Sequence, residues 1–116
     1  MSKYTDLYGH VYDMIYRSTT NISPDVEDLM KKALEKETNA TAKSMMQAML
    51  DDARMAGEKV KPVCQSPGFP TVYVSFGDNS APGEDLKKIW AEALIEGTRN
   101  SLLRPSMVHT LTRKNP

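Results

Sequence analysis

Chemistry in this chain of 116 residues can begin at its single cysteine. Cys64 stands in Lys61-Pro62-Val63-Cys64-Gln65-Ser66-Pro67-Gly68-Phe69-Pro70, ahead of the alternating run Thr71-Val72-Tyr73-Val74-Ser75-Phe76. A lone thiol on such a turn can sit close to an inorganic ligand, because Gly68 permits tight backbone approach while Pro62, Pro67 and Pro70 stiffen the flanks. One thiolate cannot build a metal site by itself, and residue type alone favours a small buried apolar group over a metal ligand. A single cysteine also excludes an internal disulfide, which fits a reducing compartment or a protein that needs no staple. His10 and His109 are far apart and in no metal-ligand spacing, so both read as structural or exposed. Arg104, in Leu103-Arg104-Pro105, reads on its own as a solvated arginine after a helix.

The elements that must position these residues are mostly helical. Tyr4, Leu7, Tyr8, Val11 and Ile15 form one apolar stripe and predict a helix from about Tyr4 to Arg17. Ser23 as cap, Pro24 at the first helical position and the acids Asp25, Glu27 and Asp28 predict a second start, with Val26, Leu29, Met30, Ala33 and Leu34 turned inward. Asn39 or Thr41 opens a third helix whose inward stripe is Ala42, Met45, Met46, Met49, Leu50 and Ala53, closing near Gly57. The methionines on these stripes read as core fillers and Asp51, Asp52, Arg54, Glu58 and Lys59 as a wet face. Val72, Val74 and Phe76 alternate with Thr71, Tyr73 and Ser75, which predicts a strand turning at Gly77-Asp78-Asn79. Ser80 to Gly83 then leads into a last helix with Leu86, Ile89, Trp90, Ala93, Leu94 and Gly97 on one side, ended or redirected by Pro105. A lone strand is unstable in water, so its partners are expected elsewhere, apart from short segments near Val60 or Val108. The expected fold class is mainly α (α+β): residues 1–116 as a single domain of about four helices with one or two short strands.

Lysine plus arginine number 15 and aspartate plus glutamate 15, so nothing draws the chain to nucleic acid or to anionic membranes. No stretch approaches the ~20 apolar residues of a membrane span, and the start lacks a leader-like apolar region. The expectation is a soluble, cytoplasmic protein able to bury roughly two-thirds of its extended surface.

Cys64-Gln65 with Gly68, the strand after it, Leu103-Arg104-Pro105-Ser106 and Leu111-Thr112-Arg113-Lys114-Asn115 together resemble the α region of the iron-sulfur-dependent (class I) fumarase and L(+)-tartrate dehydratase family of hydro-lyases. The likeness runs through nearly the whole chain. It implies reversible addition or loss of water on a small dicarboxylic acid, with Cys64 as one of the cysteines that hold a 4Fe-4S cluster. Further cysteines would have to come from sequence beyond this chain, so the chain alone is expected to hold no stable cluster and to be inactive. The resemblance also implies substrate binding by Gln65, through its amide, and by Arg104, through a guanidinium fork that matches a dicarboxylate. Ser66 and then Arg113, with Lys114, follow as secondary contacts. The family motif usually reads Cys-Gln-Asp-Thr-Gly. Here Ser66 replaces its aspartate and Pro67 its threonine, so the expected carboxylate is not supplied and no general base can be named. The implied partners are the rest of the α region, the β subunit or region, and further copies in a homo-oligomer. Against the family pattern the chain is read as the N-terminal, fragment-like part of an α region. The alternative is a short non-catalytic relative serving as a protein-interaction or subunit-assembly module.

Overall fold

The computed structural model describes residues 5–66, 69–77 and 84–115, so Tyr4, Pro67, Gly68, Asp78, Asn79 and the Ser80–Gly83 lead-in lie outside the described residues. The helices are α1 Thr5–Thr20, α2 Pro24–Lys36, α3 Ala40–Lys59 and α4 Glu84–Arg99.

Helix α1 runs past Arg17 because its threonines bond to their own helix. The hydroxyls of Thr19 and Thr20 donate to the carbonyls of Ile15 and Tyr16 at 2.9 and 2.8 Å. Pro24 occupies the start of α2 as expected, and Ser23 takes the extended N-cap backbone, but its side chain makes no capping bond. It pairs instead with Asp25, whose carboxyl it holds below the ordinary carboxylate range. Of the possible openers of α3, Asn39 is the cap: its side chain accepts from the Ala42 N–H at 3.0 Å.

The end of α3 differs from the expectation at Gly57. The helix continues to Lys59 and stops at Val60, which adopts the left-handed conformation at φ 55°. That conformation is costly for a β-branched residue. The stop follows from Pro62, which cannot continue a helix and pushes Lys61 out of helical backbone. Gly57 instead lies where α3 meets the end of α1, its Cα close enough that a Cβ would come within 3.2 Å of Asn21 Oδ1.

The core sits between α1 and α4. Val11 and Ile15 meet Ile89 and Ala93, all buried, with Tyr8, Tyr12, Trp90, Leu94 and Leu103 packed around them. Gly97 continues the α4 stripe at helical spacing, and a Cβ there would lie 3.3 Å from Ile15 Cγ2. Polar clasps close the edges: Tyr8 Oη donates to Glu96 at 2.8 Å, and Asn100 Nδ2 donates to Tyr12 Oη at 2.7 Å.

The α2–α3 stripes do not form the expected core. No residue of α2 is buried, Ala56 is the buried residue of α3, and Leu29, Met45 and Met49 are 63, 66 and 58% exposed. Among the described residues α2 packs on α3 alone, and α3 adds a smaller contact with α1 where Gly57 lies, so much of both apolar faces stays uncovered. The wet face of α3 is as expected, with Arg54 within ion-pair distance of Asp51 and Glu58.

No strand occurs among the described residues. Thr71 to Phe76 is irregular backbone, and the segments near Val60 and Val108 form no ladder with it. A strand exists only with a partner to take its backbone bonds. The alternation nevertheless survives in the side chains: Val72 and Val74 line a shallow groove with Leu86, Trp90 and Leu94 of α4, while Tyr73 is 94% exposed. No helix among the described residues is long and apolar enough to cross a membrane.

Candidate functional site

The Cys64 segment begins where α3 ends. After Val60 turns the chain, the Lys61 N–H donates to Ala56 O at 3.1 Å and the Val63 N–H donates to Thr19 O, at the end of α1, at 2.8 Å. Pro62 and Val63 are half-buried, and Cys64, Gln65 and Ser66 are exposed. Cys64 is a free, exposed thiol, which excludes the reading as a small buried apolar group.

Its sulfur has a local partner. The Ser66 N–H donates to Cys64 Sγ at 3.1 Å. The Ser66 side chain first, and this backbone bond second, hold the thiol below its ordinary value, against desolvation and, last, the charge of Asp52. Hydrogen bonds to the charged form favour that form, and the thiolate is the species that attacks or binds metal. Ser66 therefore has a definite effect on the sulfur even though it offers no carboxylate.

Arg104 reaches the same loop from the other end of the chain. After α4 the backbone turns at Ser101, at φ 61°, and the N–H groups of Leu102 and Leu103 return to Gly97 O at 2.9 and 3.3 Å. Leu102 is buried and Leu103 packs on the core, so the residue that follows is held in place. Arg104 Nη1 then donates to the Gln65 carbonyl at 3.3 Å. Cys64, Gln65, Ser66 and Arg104 thus form one exposed cluster over the ends of α1 and α4.

Arg113 is not brought into that cluster by any described contact. It lies in a closed turn of its own, where its N–H donates to His109 O at 2.8 Å and His109 N–H donates to Lys114 O at 2.9 Å. The His109 ring serves this turn, with Nδ1 accepting from the Leu111 and Thr112 N–H groups at 3.3 and 3.4 Å. His10 is exposed, so both histidines are structural or surface residues as expected.

Thr19 was not legible as a site residue, because it acts through a carbonyl that every residue type carries. A second groove, of about 570 Å³ and lined by Glu27, Lys31, Leu34, Asp51 and Arg54, lies between α2 and α3 and includes none of the cluster residues.

Among the described residues no group of three or more His, Cys, Asp or Glu side chains could hold a metal ion. Cys64 is the one thiol this sequence can offer an iron-sulfur cluster. Its exposure and lowered pKa favour the thiolate, the form that binds metal.

The chain is 30% identical over 109 residues to a Methanocaldococcus jannaschii protein that carries the name of an L(+)-tartrate dehydratase subunit alpha, covering 90% of this chain and 38% of that protein. It is 32% identical over 112 residues to a Geobacillus stearothermophilus protein that carries the name of a class I fumarate hydratase, covering 94% of this chain and 21% of that one. The chain thus spans well under half the length of either relative. The fumarate hydratase (Fumerase) family matches residues 9–116, and this chain belongs to that family.

Proposed function

We propose that this chain supplies one cluster thiolate and the nearest substrate-orienting groups of an iron-sulfur hydro-lyase acting on a small dicarboxylic acid. The observation that carries the reading is the meeting of Cys64-Gln65 with Arg104 across 39 positions of sequence.

The roles follow from the donors present. Cys64, exposed and with its thiol held low by Ser66, is the iron ligand. When bound, a 4Fe-4S cluster with an open iron supplies Lewis-acid polarisation of a substrate hydroxyl. Gln65 can donate or accept through its side-chain amide and so orient a hydroxyl or carboxylate. Arg104 uses one guanidinium donor on the Gln65 carbonyl and retains others for a substrate carboxylate, in charge-assisted bonds. Ser66 acts on the sulfur and Arg113 on the approaching anion, each as a lesser contact. No proton acceptor stands at the position of Ser66, because a serine hydroxyl is a poor base near neutral pH. No general base is therefore assigned, and the remaining thiolates come from outside this chain, which has one cysteine. The partners are accordingly the rest of the α region and a β subunit or region, with further copies in a homo-oligomer.

A second reading, a non-catalytic interaction or assembly module, is favoured by the apolar side chains left in solvent, among them Phe69, Tyr73, Phe76 and Leu111 at 80, 94, 61 and 87% exposure. The test is hydration of fumarate and dehydration of malate and tartrate, assayed anaerobically on this chain combined with the remaining α and β segments of a relative. Turnover in the mixture, and loss of most of it with Cys64→Ala or Arg104→Gln, supports the enzyme reading. A tight complex that turns over none of these acids, or activity indifferent to Cys64→Ala, supports the module.

A further inference from the structure

We propose that Arg104 is a positioning residue for the Cys64 loop, acting through the Gln65 carbonyl before any substrate arrives. The purpose of such a device rests on the reading of Cys64 as an iron ligand; its geometry and its test do not.

The loop needs a second anchor. It leaves α3 through the left-handed Val60 and is then fixed on one side, where the Val63 N–H meets Thr19 O at 2.8 Å. Beyond that bond Cys64, Gln65 and Ser66 are exposed and bury no side chain that could hold them. The next described residues that meet a helix are Val72 and Val74 in the α4 groove, and local opening of an exposed segment between such distant points costs little free energy. A ligand sulfur must instead be held to within a fraction of an ångström.

Arg104 provides the anchor on the other side. Val63, immediately before the cysteine, is tied to the end of α1, and Gln65, immediately after it, is tied through Arg104 to the end of α4. The anchor is itself rigid. Leu102 is 3% exposed, Leu103 packs on the core, both N–H groups return to Gly97 O, and Pro105 confines Arg104 to extended backbone. The cysteine therefore sits between a contact to the end of α1 and a contact to the segment after α4. The Arg104 guanidinium forms no ion pair among the described residues, so no carboxylate there draws it away from the carbonyl. A planar fork can hold that carbonyl and still offer donors to a second group, which an ammonium does with poorer geometry.

The experiment is amide hydrogen exchange by NMR on the 116-residue chain without a cluster, comparing the native protein with Arg104→Gln and Arg104→Lys. The reporter is the Ser66 N–H, which is bonded to Cys64 Sγ and so follows the shape of the loop. In Arg104→Gln the Ser66 amide exchanges about fivefold faster, the change expected on losing one ordinary hydrogen bond, while Val63 and the α1 and α4 amides keep their rates. Arg104→Lys, which retains a donor, falls between the two. Unchanged Ser66 exchange in Arg104→Gln would overturn the proposal and leave Arg104 a substrate contact only. Acceleration spread over α1 and α4 would equally overturn it, assigning Arg104 to the fold. Failure of cluster assembly would remove the iron-ligand role of Cys64 and leave the exchange result standing, so the two ideas fail separately.

Discussion

The α1–α4 pair and the α2–α3 hairpin carry the same kind of apolar periodicity and reach opposite outcomes. On α1 and α4 the stripe residues Val11, Ile15, Ile89 and Ala93 are buried, whereas on α2 and α3 Leu29, Met45 and Met49 stay mostly in solvent. The difference lies in the neighbours. The stripes of α1 and α4 face each other with a glycine at the crossing and polar clasps at the edge, and Leu103 folds back to seal the end. Those of α2 and α3 meet each other, with a smaller contact of α3 on α1, and leave most of their apolar side chains uncovered among the described residues. The radius of gyration, 18.2 Å, is correspondingly larger than the roughly 13 Å of a closed domain of this length. Helical periodicity thus states which face is apolar, not whether it is covered. The Cys64 loop hangs from the covered pair, by Thr19 on α1 and Arg104 after α4.

The sharpest way to break that contrast is to truncate one residue on each side. Ile15→Ala should destabilise by about 3 kcal/mol, through lost burial plus the cavity left against Ile89 and Ala93. Met49→Ala, at 58% exposure, should cost less than about 0.5 kcal/mol. Urea denaturation measures both, and equal costs would mean that the hairpin is as tightly packed as the pair.

Glycine positions sharpen the same point. In Gly97→Leu the new side chain meets Ile15 Cγ2 and Leu103 Cδ1, 3.3 and 3.4 Å from the Cβ position, so overpacking should cost about 2 kcal/mol. Gly57→Ala meets only the end of the exposed Asn21 side chain at close range, and the helix gains propensity, so its stability should stay within about 0.5 kcal/mol of native. A loss at Gly57 as large as that at Gly97 would show the α1–α3 junction to be as close-packed as the core.

The clasp on the core pair has a pH signature. The hydrogen bond to Glu96 first, and then burial, raise the Tyr8 hydroxyl from 10.0 to about 12. A raised folded pKa means stability that is fully present below the unfolded value and lost as pH climbs from 10 toward 12. After solvent screening the loss is about 0.5 kcal/mol, and Tyr8→Phe should remove it from the alkaline limb of a thermal melting series. The smallest effect belongs to the site itself. Ser66→Ala removes the larger of the bonds that lower the Cys64 thiol and keeps the backbone one, so ultraviolet titration of the thiolate should move upward toward the ordinary cysteine value. An unmoved titration would mean that the backbone bond alone sets it.

Legibility in the sequence follows the range of the forces. Pro24 and Asn39 mark helix starts through local backbone bonds, and both starts stand where the pattern puts them. The stop of α3 lies two residues beyond Gly57, because Pro62 forces it and Val60, not a glycine, takes the left-handed position. The run 71–76 has the composition of a strand, but strand pairing is non-local and no described segment supplies a partner. The exposure of the methionine stripes is a matter of cover, which no single helix encodes. At the site, Cys64 and Arg104 were each visible as residues, yet only family resemblance suggested that they belong together. Nothing local connects position 64 with position 104, and the contact depends on how α1 and α4 cross.

The central claim is that Cys64 is one thiolate of a cluster completed elsewhere, and iron content tests it most directly. The chain would be reconstituted anaerobically with iron and sulfide, alone and together with the remaining α and β segments, as native protein and as Cys64→Ala, and read by iron analysis and visible absorption. The account predicts no stable chromophore on the chain alone, a cluster chromophore in the mixture, and its loss in Cys64→Ala. A cluster that assembles equally well without Cys64, or no cluster in any mixture, would contradict it.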